Sequence, residues 1–226
     1  MKNIFLIILI TLFSTTVFSQ EKNTYSTSFS IAHRSYAPVV GNALNEEPVF
    51  EFYQTFSCNR FSLLFIKSVD LVDNQSSGNY SFLLGKYQFI KNETFTMWLS
   101  GTIIQSDEEF IPVGDPLFIF QTGFSKKIQK NSFGLRTSLI RTFTRESKNT
   151  FVINPFGVFA LQGNKSIQSD IWFQEDHITL GIGYRSQLFD FDQGKLNAEI
   201  RYNYRHNWEN ASQEGLVNFG ITYTLK

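Results

Sequence analysis

The chain has 226 residues, with 20 basic and 20 acidic side chains and a formal charge of zero. That length fits one domain or a tight pair, and the zero balance removes the case for nucleic-acid binding, which needs a basic surplus or patch. One cysteine, Cys58, excludes an internal disulfide framework and a four-cysteine metal site. Phe occurs 25 times and aromatics reach 16%, yet mean hydropathy is only −0.15. A helical membrane protein needs runs of about 20 apolar residues, and only the N-terminus comes close.

The first residues read as a secretory signal peptide. Met1-Lys2-Asn3 gives a short positive start, Ile4 to Leu12 is apolar, and Phe13 to Ser19 becomes smaller and more polar. Val17 and Ser19 fit the positions before a cleavage site at Gln20, so 1–19 is expected to be removed and 20–226 to form the mature domain. No Cys stands near the site, which argues against a lipid anchor.

From Tyr25 onward the side chains alternate with period two, in stretches of about ten residues broken by polar clusters. The segments run near 25–35, 49–57, 60–68, 79–89, 94–105, 116–127, 132–144 and 150–161. Phe50, Phe52 and Phe56 share a face, as do Phe61, Leu63 and Phe65. Phe95, Met97, Leu99 and Ile103 line one side of the fifth segment, although Trp98 and Ile104 fall among the polar residues of its other side. Phe118, Phe120 and Phe124 repeat the pattern in the sixth, and Phe133, Leu135 and Leu139 in the seventh. The last three stretches are the cleanest. Ile178, Leu180, Ile182 and Tyr184 oppose Thr179, Gly181, Gly183 and Arg185. Leu196, Ala198, Ile200, Tyr202 and Tyr204 oppose Asn197, Glu199, Arg201, Asn203 and Arg205. Val217, Phe219, Ile221, Tyr223 and Leu225 oppose Asn218, Gly220, Thr222 and Thr224.

Tight turns are expected at Cys58-Asn59, Lys91-Asn92-Glu93 and Asp190 to Gly194, and longer polar connections near 37–48, 70–78, 106–115 and 207–213. This alternation of short and long connections is the layout of a transmembrane barrel. A soluble β-sandwich would also alternate, but its strands are usually about five or six residues long. The polar faces also carry Lys86, Arg136, Arg185, Glu199, Arg201 and Arg205 in register with Asn, Gly, Thr and Ser, which suits a wet lumen. Tyr and Phe gather toward strand ends (Tyr184, Tyr202, Tyr204, Tyr223, Phe143, Phe89), where aromatic girdles sit. The fold class is therefore all-β: a closed antiparallel up-and-down transmembrane β-barrel. Closure is required because an open edge in lipid leaves backbone groups unpaired. Eleven segments are clear. Ile167, Ile171 and Phe173 share a parity, so 166–173 adds a twelfth, with ten as the alternative count.

With a signal peptide, alternating strands and an aromatic-rich last strand, the mature chain resembles the small outer-membrane β-barrel proteins of Gram-negative bacteria. The segment from Gly215 to Lys226 resembles the assembly signal read by the barrel-insertion machinery, although it closes on Lys226 after Tyr223 and Leu225 and not on an aromatic residue. The resemblance implies an outer-membrane location, contact with outer-membrane lipids, and assembly through the C-terminal strand. It does not point to a particular activity.

No catalytic, cofactor or metal residue is expected. His33-Arg34-Ser35 reads H-x-S, the order found in outer-membrane phospholipases, but nothing around it resembles them further, and His33 reads as an interface histidine. His177 and His206 are the other histidines. The acidic runs Asp107-Glu108-Glu109 and Asp190/Asp192 read as loop and turn decoration. The candidate site is the charged lumen: Arg136, Arg185, Glu199, Arg201 and Arg205. These would either close the barrel as a network of ion pairs or line a narrow pore biased toward small anions. A structural or porin-like role is the expectation. A surface binding module acting through 37–48, 106–115 and 162–175 is the alternative, and a barrel lipid hydrolase is the remaining one.

Overall fold

A computed structural model describes residues 23–33, 36–37, 42–43, 48–72, 79–106, 117–142 and 149–225. The signal segment, Ser35, Asp107-Glu108-Glu109, Phe143 and Lys226 lie outside the described residues.

Twelve strands close into one antiparallel barrel. In chain order they are β1 (Thr24–Ala32), β4 (Val49–Cys58), β5 (Phe61–Asp70), β6 (Tyr80–Lys91), β7 (Phe95–Ser106), β8 (Leu117–Ile128), β9 (Asn131–Thr142), β10 (Asn149–Ala160), β11 (Lys165–Phe173), β12 (His177–Phe191), β13 (Gly194–Asn207) and β14 (Gln213–Leu225). A two-residue ladder between β2 (Tyr36–Ala37) and β3 (Asn42–Ala43) forms a separate sheet in the β1–β4 connection. Each barrel strand pairs with its neighbours in sequence, and β1 closes the ring against β14, with Ser28 opposite Thr224 and Ala32 opposite Gly220. The count is twelve, not ten. The segment 166–173 is β11, so 162–175 is not a loop. Asp190 and Phe191 remain paired with Lys195 and Gly194, which narrows that turn to Asp192 and Gln193.

The ends of the barrel differ. Five short connections, together with the start of β1 and the end of β14, form the turn end; the other connections form the loop end, and they are longer except for the three residues 174–176 between β11 and β12. The turns have local causes. Asn59 and Gln129 adopt positive φ in two-residue turns. Asn92 Oδ1 accepts from the backbone N–H of Thr94 at 3.1 Å and of Phe95 at 2.7 Å, which holds the β6–β7 turn as an Asx motif. Pro155 lies within β10 and has no N–H to give its neighbour. The Asn154 side-chain amide donates instead to Ile171 O across on β11, at 2.8 Å.

Period two sorts the side chains into two faces. The outward face is predominantly apolar, with scattered polar positions such as Gln54, Lys67 and Thr137. Phe120 is 60% exposed and Ile182 55%, and Phe65, Leu99, Leu139, Phe151, Ile200 and Val217 are exposed in the same way. Soluble monomers do not carry contiguous apolar surface on this scale. It is the lipid-facing band of a transmembrane barrel. The aromatic segments read from the sequence all face outward, and the polar series faces the lumen.

Candidate functional site

Near the loop end the lumen is filled. An apolar cluster runs from Ile66 on β5 through Phe82, Ile104, Ile119, Ile140 and Val152 to Trp172 on β11. Val152 and Trp172 are fully buried, and opposite them Val49, Thr179 and Asn203 are buried as well. Trp98 and Ile104, which broke the polar pattern of β7, point inward. Ile104 joins this cluster, and Trp98 lies nearer the turn end. The Ser68, Thr102 and Thr179 hydroxyls are buried in the same half and find no hydrogen-bond partner among the described residues.

A polar belt lies just below. Arg201 Nη2 donates to Asp170 Oδ1 at 2.6 Å, and Trp172 Nε1 donates to the same oxygen at 2.9 Å. Arg201 Nε reaches Asn203 Oδ1 at 3.0 Å. Both ends of this ion pair are shielded from water, so losing one partner would strand a buried charge. Gly181 makes the approach possible, because a Cβ there would strike both the Arg201 guanidinium and the Asp170 carboxylate. On the β4 side, Glu51 accepts from the hydroxyls of Tyr53 and, at 2.7 Å, of Tyr80.

A second group paves the wall from β6 to β11 with rings and cations. Lys86 Nζ sits 4.4 Å above the Trp98 ring. The Arg136 guanidinium lies 4.7 Å from the Phe156 ring and 4.9 Å from the Trp172 ring, and its Nε donates to Asn154 Oδ1 at 2.7 Å. Cation–π contacts of this kind fix the cations against the wall. The rings lie flat because the neighbouring strands carry glycine. A Cβ on Gly123 would come within 2.7 Å of Trp98, and one on Gly134 would strike Phe156. This is aromatic cover of strand glycines, used here on the inner surface.

Below the belt the lumen opens into a cavity of about 920 Å³, within the range of small-molecule sites. Arg136, Arg185, Glu199 and Arg201 all line it. Arg185 and Glu199 are register partners on β12 and β13, and neither makes a hydrogen bond or ion pair among the described residues. Arg205 shares the inward face of β13 but lies toward the loop end, with Nη2 3.5 Å from His177 Nδ1. That nitrogen is 2.7 Å from Asp176 Oδ1. Sequence reading missed Asp170, Trp172, Glu51, Tyr53 and Asn154. Parity was the available signal: Glu51 falls between Phe50 and Phe52, and Asp170 between Ser169 and Ile171, each opposite an apolar face.

The other flagged residues lie apart from the lumen. His33 is exposed and its backbone N–H donates to Phe219 O at 2.8 Å, extending the β1–β14 seam. Asp190 lies 3.8 Å from Lys195 at the turn end. Cys58 is the last residue of β4 and is buried.

No protein-family model and no curated protein matches the chain. Solved structures do match its fold. A KdgM porin superposes with TM-score 0.60 at 9% identity, over 89% of this chain and 98% of that one. A NanC porin gives TM-score 0.59 at 10% identity, over 88% and 99%. The KdgM porin was also solved in complex with disordered oligogalacturonate. The chain is thus a closed twelve-strand antiparallel barrel with the fold of outer-membrane porins.

Proposed function

We propose that this protein is an outer-membrane barrel that acts as a narrow porin-like channel for small solutes, with a bias toward anions, and is not an enzyme. The observation that carries this reading is the lumen. Inside an apolar outer wall it holds a cavity lined by Lys86, Arg136, Arg185 and Arg201 against Glu51, Asp170 and Glu199. Asp170 pairs with Arg201, which leaves Lys86, Arg136 and Arg185 against Glu51 and Glu199, so the field in the cavity leans positive. Fixed charges at close quarters select ions by sign. Export by cleavage before Gln20, contact with outer-membrane lipids and delivery to the assembly machinery by β14 complete the reading.

The test is conductance in planar bilayers. Small stepwise currents are expected, with a reversal potential in a KCl gradient that reports preference for chloride. Currents that prefer potassium would overturn the anion bias. The packed loop-end layer favours one second reading, a closed barrel with a structural role, and a bilayer that stays sealed at high protein load would establish it. Heat-dependent gel migration of the membrane-extracted protein tests the barrel itself, because a folded barrel runs apart from its boiled chain.

A further inference from the structure

The cavity is not uniformly polar. Two cross-strand pairs, Leu64 with Leu84 and Ile66 with Phe82, lie side by side on β5 and β6. All four line the cavity, Leu64 and Leu84 with partly exposed side chains and Ile66 and Phe82 as the buried edge of the filled layer. Lys86 follows Leu84 on the same face of β6, two residues toward the turn end, and its ammonium is held over Trp98. Its ring contact is its one interaction among the described residues apart from the charge of Arg136, which lies close enough to act on it. Two like charges therefore face the same stretch of the cavity, Lys86 over Trp98 and Arg136 over Phe156, two rings whose centroids lie 6.4 Å apart. Hydroxyls flank Lys86 itself, in its register partners Ser62 and Ser100, and the β1–β14 seam adds Ser28 bonded to Thr224 and Ser30 to Thr222, whereas the wall from Lys86 toward the loop end is apolar. Glu51, the carboxylate next along the wall from Tyr53, is already engaged by Tyr53 and Tyr80. Glu199 lies across the barrel, in register with Arg185.

We propose that this cavity binds a small amphipathic carboxylate, an aliphatic or aromatic monoacid, with its carboxylate bridging Lys86 and Arg136 and its apolar body against Leu64, Ile66, Phe82 and Leu84. The carboxylate would relieve the repulsion between two cations and accept charge-assisted hydrogen bonds. The body would remove apolar wall from water. A sugar acid satisfies only the first requirement, because its hydroxyls would face Leu64 and Leu84. A neutral alcohol of the same shape satisfies only the second. The site lies within the lumen already read as a channel, and the assignment rests on that reading for access alone.

Isothermal titration of the detergent-purified full barrel at pH 7, corrected against protein-free micelles, tests the proposal with phenylacetate as probe. Saturable one-to-one binding is expected, at least about tenfold tighter than glucuronate or 2-phenylethanol. Lys86→Met should weaken phenylacetate about tenfold or more, Lys86→Arg should restore part of it, and Leu84→Ser should weaken it severalfold while leaving glucuronate unchanged. Heat-dependent gel migration confirms that each variant is folded, and Leu84→Ser carries the test if Lys86→Met does not fold. Glucuronate binding as tightly as phenylacetate overturns the proposal, as does 2-phenylethanol binding as tightly, or no saturable binding. Because binding is read at equilibrium and the channel by current, either reading can fail while the other stands.

Discussion

The two halves of the lumen are built from the same strands and end in opposite states. Along β10, Val152 and Val158 are both inward, six residues apart. Val152 is fully buried among Ile140, Ile119 and Trp172, while Val158 lines the cavity and is partly exposed. The loop-end half behaves as a protein core. The turn-end half behaves as a binding cleft, with cations held over rings and with Arg185 and Glu199 left facing the open space. The division coincides with the belt in which Arg201, Asp170 and Trp172 share hydrogen bonds. Among the described residues, large inward side chains on β5 to β11 fill the lumen where they meet, and small ones leave room where they do not.

The boundary is the place to break this arrangement most severely. Asp170→Ala removes the counter-ion of a buried Arg201 and the acceptor of Trp172. The expected cost is about 3–5 kcal/mol, read as a lower urea midpoint for the folded band on heat-modifiable gels. A cost within experimental error would show that the belt is hydrated and that the halves are not separated there. Next is Trp172→Ala, at about 3 kcal/mol or more. It should also raise single-channel conductance severalfold, because it opens the filled half and leaves the cavity intact. Unchanged conductance would mean that the filled layer does not limit the current.

The two valines give the direct comparison. Val152→Ala should cost about 1.5–3 kcal/mol, two buried methyl groups plus the hole they leave. Val158→Ala should cost less than about 0.5 kcal/mol, because water already reaches that site. Equal costs would erase the distinction between the halves. The seam should give an effect between those of the two valines: Ser28→Ala removes the 3.0 Å bond to Thr224 and should cost about 1 kcal/mol. It should leave conductance unchanged.

Much of this fold is legible in the sequence, because a strand's faces follow from parity alone. Phe118, Phe120 and Phe124 could share only one side, and a closed barrel gives that side to lipid. Even β11, the weakest segment, was visible through Ile167, Ile171 and Phe173. The lumen was legible in part. Arg136, Arg185, Glu199, Arg201 and Arg205 could be assigned to an inner face, but their neighbours could not. Arg201 meets Asp170 from 31 residues away, and Arg136 rests on Phe156 and Trp172 from two other strands. Such contacts depend on register and strand tilt, which no local pattern encodes. The glycines show the same limit. Gly123 and Gly134 look like weak points in strands until Trp98 and Phe156 are seen to lie over them.

By itself, then, the sequence determined the strand class, the faces of the strands and most of the alternation of short and long connections, while the choice of twelve strands over ten came from the closed barrel. These follow from the two-residue period of a strand and from the requirement that no backbone edge be left open in lipid. Only the tertiary structure decided which inward residues meet. Closing the sheet brings β5 to β11 into contact at one level, so that one half fills with Ile, Phe and Trp. The other half keeps the space in which Lys86 and Arg136 stand beside Leu64 and Leu84. That division depends on side-chain volumes summed around the ring, a property of the closed barrel that no single strand carries.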